Sequence, residues 1–417
     1  MPKASKTQRP AAKGLDDAFD QALADLPRIF ANQVFERKLR EASLDPDPAL
    51  IEALTAHVLA GGGDDIDLDH PSWPEGFVLR ITPEDLERFR ADTQRFLDDG
   101  LPKLIRDEIH GSARRILRRL KARWPEQHAQ ETDAQAGFRE RLETRWSAGI
   151  TPLWMLLTLS REAGRDRWDK HRKSRAKKNR TRKDVLFWLH ARACQVTGEV
   201  LVLLENGYAD GAMARWRTLH EISVVAALIH MHGDDLAQRY LAHEVVDARA
   251  ALRTHHAHFE ELGYKPPSKQ RTAKVERLHA AAVREYGPGF AREFGWAAKH
   301  VQPCNSFADL AKAAGRGRLK PFYKLASWSI HAGTKGLTDG LSAMGQRRLL
   351  AGSSNAGLTE PCQNTAITLS AITVLLVDEP FTAEAGVVLH LVREEAVMGF
   401  VRAGRRLRRE EAARTAK

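Results

Sequence analysis

Two pairs of polar residues in the second half of the chain stand four positions apart, the spacing that puts side chains on one face of a helix. Arg217 and Glu221 form one pair; Ser327 and His331 form the other. Leu219, Ile222, Val225 and Ala226 surround the first pair, so its face is expected to turn inward. Arginine ahead of glutamate is the weaker order for supporting a helix, so this pair is expected to do more than that. The second pair is flanked by Tyr323, Ala326 and Ile330, and a third polar stripe holds Arg239, Tyr240, Glu244 and Asp247. An antiparallel bundle would bring the three stripes into one pocket. Such a pocket either performs acid–base chemistry or is a buried polar network that holds helix register.

One sharper reading is a ribonuclease. Arg215 and His220 in RWRTLH have the arginine-to-histidine spacing of a metal-independent nuclease helix. Histidine would take the 2′-OH proton while arginine stabilises charge on the phosphate. Trp216 stands where that class has a polar residue, and Arg165 with His171 or Arg253 with His258 repeats the spacing. The catalytic candidates are thus Arg217, His220, Glu221, Ser327 and His331, with Arg215, Arg239, Tyr240, Glu244, Asp247 and Tyr323 around them. VLLVDEP (374–380) resembles an ATPase strand, but no GxxxxGK[ST] phosphate loop accompanies it, so 366–377 is expected as a core helix. Histidines 230, 232, 243, 255, 256 and 258 lack ligand spacing with a carboxylate and are expected to be solvated. SSNAG (353–357) is expected as a plain turn. No cofactor and no metal are expected.

The elements that must position these residues are helical. An amphipathic pattern from 15 to 43 is expected to break at Pro27. A short helix opens near Pro48, 64–75 is an acidic loop, and FVLRI (77–81) is the one strand-like run. Thr82 begins another helix, and long charged helices follow to Arg145 with breaks near Gly100–Pro102 and at Pro125. Further helices are expected over 184–207, 209–231 and 234–262, with Gly233 between the last two, then over 321–337, 364–377 and 385–413. The fold class is all-α: a multi-helix bundle with an additional N-terminal helical region. The expected divisions are a tail at 1–14, the N-terminal region at 15–160, a basic linker at 161–184, the core domain at 185–380, and a C-terminal helix with a basic tail at 381–417.

Charge and composition set the partners. The chain has a net charge of +11, yet nine Lys/Arg and no acid lie between Lys170 and Lys183. Seven more Lys/Arg against two acids lie between Arg402 and Lys417, leaving the remainder slightly acidic. Both runs are expected to be solvated, with the first a mobile connector, and both are candidates for contact with RNA or another nucleic acid. The three cysteines are far apart, no apolar run is of membrane-spanning length, and residues 1–14 lack the apolar core of a secretory signal. The expectation is a cytoplasmic protein without a membrane partner, with a homodimer among the assemblies considered.

Five motifs in order, GYADGAMARWRTLHE (207–221), AQRYLAHEVVDAR (237–249), YGPGFAREFGWA (286–297), YKLASWSIHAG (323–333) and SSNAGLTEP (353–361), resemble a bacterial family catalogued as domain of unknown function 5677. The resemblance spans roughly 186–376 and implies an all-helical domain with no established activity. Scattered relatives accompany defence or toxin loci, so the resemblance implies an effector setting. Two functional expectations follow: a ribonuclease-like effector in defence or toxicity, or a non-catalytic helical module binding a protein, nucleic acid or small molecule.

Overall fold

Helix α1 (Lys13–Glu41) continues across Pro27 instead of breaking there. A proline removes one bond of the helical ladder, and the turns on either side carry the helix across it. The computed structural model describes residues 13–61, 79, 82–331, 333–338, 351–376 and 383–415. All their regular structure is helical, and the chain divides into two compact units, Met1–Thr132 and Asp133–Lys417. The expected acidic loop lies outside the described residues, as does the strand-like run apart from Leu79 and most of the N-terminal tail.

In the first unit, Asp47 caps α2 (Pro48–Leu59) by accepting from the Ala49 amide at 3.0 Å. Phe35 and Leu39 of α1 pack on Leu50, Ile51 and Leu54 of α2 in a small core. Thr82 and Asp85 form a reciprocal capping box at the start of α3 (Pro83–Arg95). A wide π turn over Phe96–Gly100 then leads into α4 (Leu101–Lys173). That helix has no break at Pro125, and the division between the units falls within it.

The second unit begins with the last part of α4. A turn over residues 174–179 leads to α5 (Arg180–Glu205), and α6 (Ala209–Ala242) follows. Then come α7 (Glu244–His258), α8 (Lys269–Tyr286), α9 (Phe307–Ala313), α10 (Lys320–Ile330), α11 (Thr334–Thr338), α12 (Thr359–Val374) and α13 (Ala383–Thr415). One core joins Trp146 and Leu153 of α4, Val200 of α5, Trp216 of α6, Leu369 of α12 and Phe400 of α13. At the α4–α13 crossing a Cβ on Gly399 would stand 2.0 Å from the Ala148 carbonyl, so only glycine permits that approach. A second core joins Val224, Leu228 and Leu236 of α6 to Phe290, Trp296, Val301 and Leu310. Helix α6 therefore passes through both cores. It bends at Gly233, whose φ of 76° and ψ of −153° lie outside the helical region.

Several expected boundaries move. Residues 161–184 do not separate two domains; the boundary lies near residue 132, because Leu142, Trp146, Ile150 and Leu157 of α4 are already in the second unit's core. The basic run is the end of one helix, a six-residue turn and the start of the next, so it is a helical hairpin and not a linker. His171 Nε2 to Asp184 Oδ1 at 2.7 Å holds the two sides together. The Arg182 amide adds a bond to Asp234 at 2.7 Å. The C-terminal run is likewise helical through Thr415, with Leu407 buried and Glu410 bonded to Arg145 at 2.8 Å. The helix expected over 234–262 divides at His243, and the one expected over 321–337 stops at Ile330.

Candidate functional site

The site grows from the middle of α6. Arg217 Nε donates to Glu221 Oε1 at 3.0 Å, as the four-residue spacing requires. Helix α10 lies against this face of α6. Its Tyr323 hydroxyl donates to the same Glu221 oxygen at 2.7 Å, and its ring lies 4.5 Å from the Arg217 guanidinium carbon. Arg217 Nη1 donates to Ser327 Oγ at 3.3 Å, and Ser327 donates back to the Tyr323 carbonyl at 2.9 Å. Arg217, Glu221, Tyr323 and Ser327 thus form one cluster.

Its electrostatics follow from partial burial. Burial disfavours the Arg217 charge, yet Glu221 and Tyr323 outweigh that and hold its pKa above the ordinary value. Burial, followed by the Glu221 hydrogen bond, pushes the Tyr323 hydroxyl up to about 12. Expected to be buried, the ion pair is instead half-open: the side chains of Arg217 and Glu221 keep 25% and 39% of their exposure. The α6 face here meets α10 at one edge and solvent at the other. An ion pair in such a setting contributes only about 0.2–1 kcal/mol.

The histidines do not join the cluster as expected. His220 is buried, with its ring 5.3 Å from Trp216, 5.6 Å from Tyr323 and 6.0 Å from Phe307. Burial, helped by the charge of Arg316, lowers its pKa to about 4, so it is a neutral ring in an aromatic stack. Its Nδ1 has no hydrogen-bond partner among the described residues. Arg215 points away, toward Glu199 of α5 and Thr218, so it and His220 do not face a common point. Trp216 is core, donating to Thr368 at 3.1 Å. His331 is exposed and has left the helix at φ −101° and ψ 142°, so it does not share a helical face with Ser327. Its amide closes the last turn of α10 on the Ser327 carbonyl at 3.1 Å.

The third stripe splits. Arg239 is buried at 7% exposure and pairs with no carboxylate among the described residues; it donates to the carbonyls of Trp296 at 3.1 Å and Gly295 at 3.4 Å. The rings of Tyr286 and Phe290 lie 5.0 and 5.5 Å from its guanidinium carbon. His243 Nε2 lies 2.9 Å from the Arg292 carbonyl, which can only accept, so that nitrogen carries the proton. The segment YGPGFAREFGWA is therefore a cage around the end of α6. Tyr240, Glu244 and Asp247 turn the other way, into a cleft of about 610 Å³.

Glu221 and Glu293 also line that cleft, so four acidic residues line it. Phe294, Trp296 and Phe307 supply apolar walls, and Trp296 meets Tyr240 edge to face at 5.1 Å. Burial, then the charge of Asp247, raises the Tyr240 pKa and keeps its hydroxyl protonated. Among the described residues no three His, Cys, Asp or Glu side chains converge to hold a metal ion. The carboxylates are spread along the walls, an arrangement suited to an extended cation. Of these residues, sequence reasoning missed Glu293, Phe294, Trp296 and Phe307. The first three lie in a quoted motif, which was the available signal; Phe307 carried none.

Among the described residues no helix is long and apolar enough to cross a membrane. No curated protein and no solved structure matches the chain. The last motif, at 353–361, falls beyond the matched family span, while every residue lining the cleft falls within it. Residues 183–346 match the model described as Family of unknown function (DUF5677), the family that the motifs resemble.

Proposed function

We propose that residues 183–346 form a non-catalytic helical module that binds an organic cation, an amine or guanidinium group, in the cleft between α6, α7 and the segment after α8. One observation carries this reading: Glu221, Glu244, Asp247 and Glu293 line a single aromatic-walled cleft that, among the described residues, no Lys or Arg lines. Carboxylates supply charge and hydrogen-bond acceptors, while Tyr240, Trp296 and Phe307 offer ring faces to a cation. The Arg217–Tyr323 contact fixes where the Glu221 carboxylate sits, so this cluster orients one wall of the site. Of the two functions expected, the binding module fits this arrangement better than the ribonuclease, since His220 is sealed in a ring stack and His331 stands off the cluster.

The test is titration calorimetry of the full chain with spermidine, agmatine and free arginine, alongside a ribonuclease assay on the same preparation. Saturable binding of at least one cation, lost in Glu244→Gln and Asp247→Asn at unchanged melting temperature, supports the module. RNA cleavage without added metal, abolished by Arg217→Ala and His220→Phe, would replace it with the ribonuclease. Absence of saturable binding by all three cations would remove the cleft as a ligand site.

A further inference from the structure

The hairpin that joins α4 to α5 carries a second site of opposite charge, which shares no residue with the acidic cleft. On one side of Phe187 is a cavity of about 270 Å³ lined by Arg167, Lys170, Lys178 and Lys183. On the other side is a cavity of about 490 Å³ lined by Trp168, Trp188, Arg161 and Arg165. Among the described residues no Asp or Glu lines either cavity. Asp184, which stands close by, is engaged by His171 at 2.7 Å. Arg167, Lys170 and Lys178 have no carboxylate partner among the described residues.

The wall between the cavities is a packed aromatic unit. Phe187 meets Trp168 edge to face at 5.4 Å and His171 at 5.3 Å, so both cavities keep a shared, supported partition. Trp188 is different: it remains 53% exposed at the mouth of the second cavity. An exposed indole in a cavity that two arginines also line offers a stacking face, and the adjoining cavity offers a concentration of positive charge. We propose that this hairpin binds single-stranded nucleic acid, seating phosphate in the basic cavity and stacking a base in the aromatic one. Bases inside a duplex have no free face for Trp188, which favours a single strand. Aromatic side chains beside a basic cavity favour a nucleotide chain over an anionic lipid surface, which would need only the charge.

The sugar is left open by this chemistry, so the test carries both kinds. Fluorescence anisotropy of the full chain would compare labelled oligouridylate, oligothymidylate and a duplex of equal length at several salt concentrations. The expected result is saturable binding of a single strand in preference to the duplex, with quenching of tryptophan emission. Trp188→Ala should weaken that binding about tenfold or more at an unchanged melting temperature, because the indole is exposed. Lys170→Ala with Lys178→Ala should lower the log–log salt slope by about 1.4, as expected for two lost phosphate contacts on a single strand. Comparable affinity for duplex with no effect of Trp188→Ala would overturn the proposal in favour of unspecific charge attraction. Tighter binding to vesicles containing phosphatidylserine than to either oligonucleotide would overturn it in favour of a membrane surface. No saturable binding at low salt would overturn it outright.

Discussion

Helix α6 carries two arginines in opposite circumstances. Arg217, in its N-terminal half, has a carboxylate, a hydroxyl and a tyrosine ring around it, yet remains a quarter exposed. Arg239, near the C-terminal end, pairs with no carboxylate among the described residues and is buried, held by two backbone carbonyls and two aromatic rings. The ion pair is the conspicuous feature, but the caged arginine is the one the fold depends on. Solvent beside Arg217 can replace what a lost partner supplied. Around Arg239 nothing can, because the carbonyls of Gly295 and Trp296 would be left with an apolar void.

The largest expected effect is therefore at Arg239. Arg239→Ala should destabilise the second unit by roughly 3 kcal/mol, combining two charged-donor hydrogen bonds with lost packing. Arg239→Lys should recover little, since a single ammonium cannot reproduce the planar fork over both rings. Urea unfolding followed by circular dichroism measures both. A loss below about 1 kcal/mol in the alanine variant would break the comparison at its stronger end.

His220 sharpens the other end, because it lies behind the open ion pair yet is sealed. Folded, it stays neutral down to about pH 4, while in the unfolded chain it takes up a proton near its ordinary value of 6.5. Between those values the unfolded state binds more protons, so stability falls as the pH drops through that window. The full share is roughly 3 kcal/mol. A phenylalanine fits the same ring stack, so His220→Phe should remain folded at pH 7 and lose less stability than wild type between pH 6.5 and 4. His190, also buried and lowered to about 4, continues to contribute the remaining slope. Identical pH profiles for the two proteins would show that His220 is accessible in the folded state.

A smaller effect is expected at Gly295. A Cβ there would stand 2.3 Å from the Phe290 carbonyl, so Gly295→Ala must shift the cage segment, costing about 1–3 kcal/mol. It should also weaken any cation bound in the cleft, because Trp296 is its neighbour. The smallest effect belongs to the ion pair: Arg217→Ala and Glu221→Gln should each change stability by less than about 1 kcal/mol. Equal, large losses at Arg217 and Arg239 would erase the distinction between the two ends of the helix.

Much of this protein was legible before any tertiary structure. Apolar spacing marked α5 and α6, and Thr82 marked the start of α3. The i,i+4 rule placed Arg217 beside Glu221, and Tyr323 and Ser327 were named as their company. Those features depend on residues within a few turns of one another, and local spacing encodes them. Periodicity could not show that α10 ends at Ile330 and sends His331 into extended backbone. Nor could it place the unit boundary, because the division near residue 132 is set by which turns of a single helix find core partners elsewhere. The split of the third stripe is the plainest case. Arg239 and Tyr240 are adjacent in sequence, yet one faces a cage and the other a cleft. Residues 286–296 supply the cage, and Glu293, Phe294, Trp296, Phe307 and Leu310 supply one part of the cleft, roughly fifty to seventy positions downstream. Whether a charge is sealed or open depends on what long-range packing lays over it, and only the tertiary structure decided that.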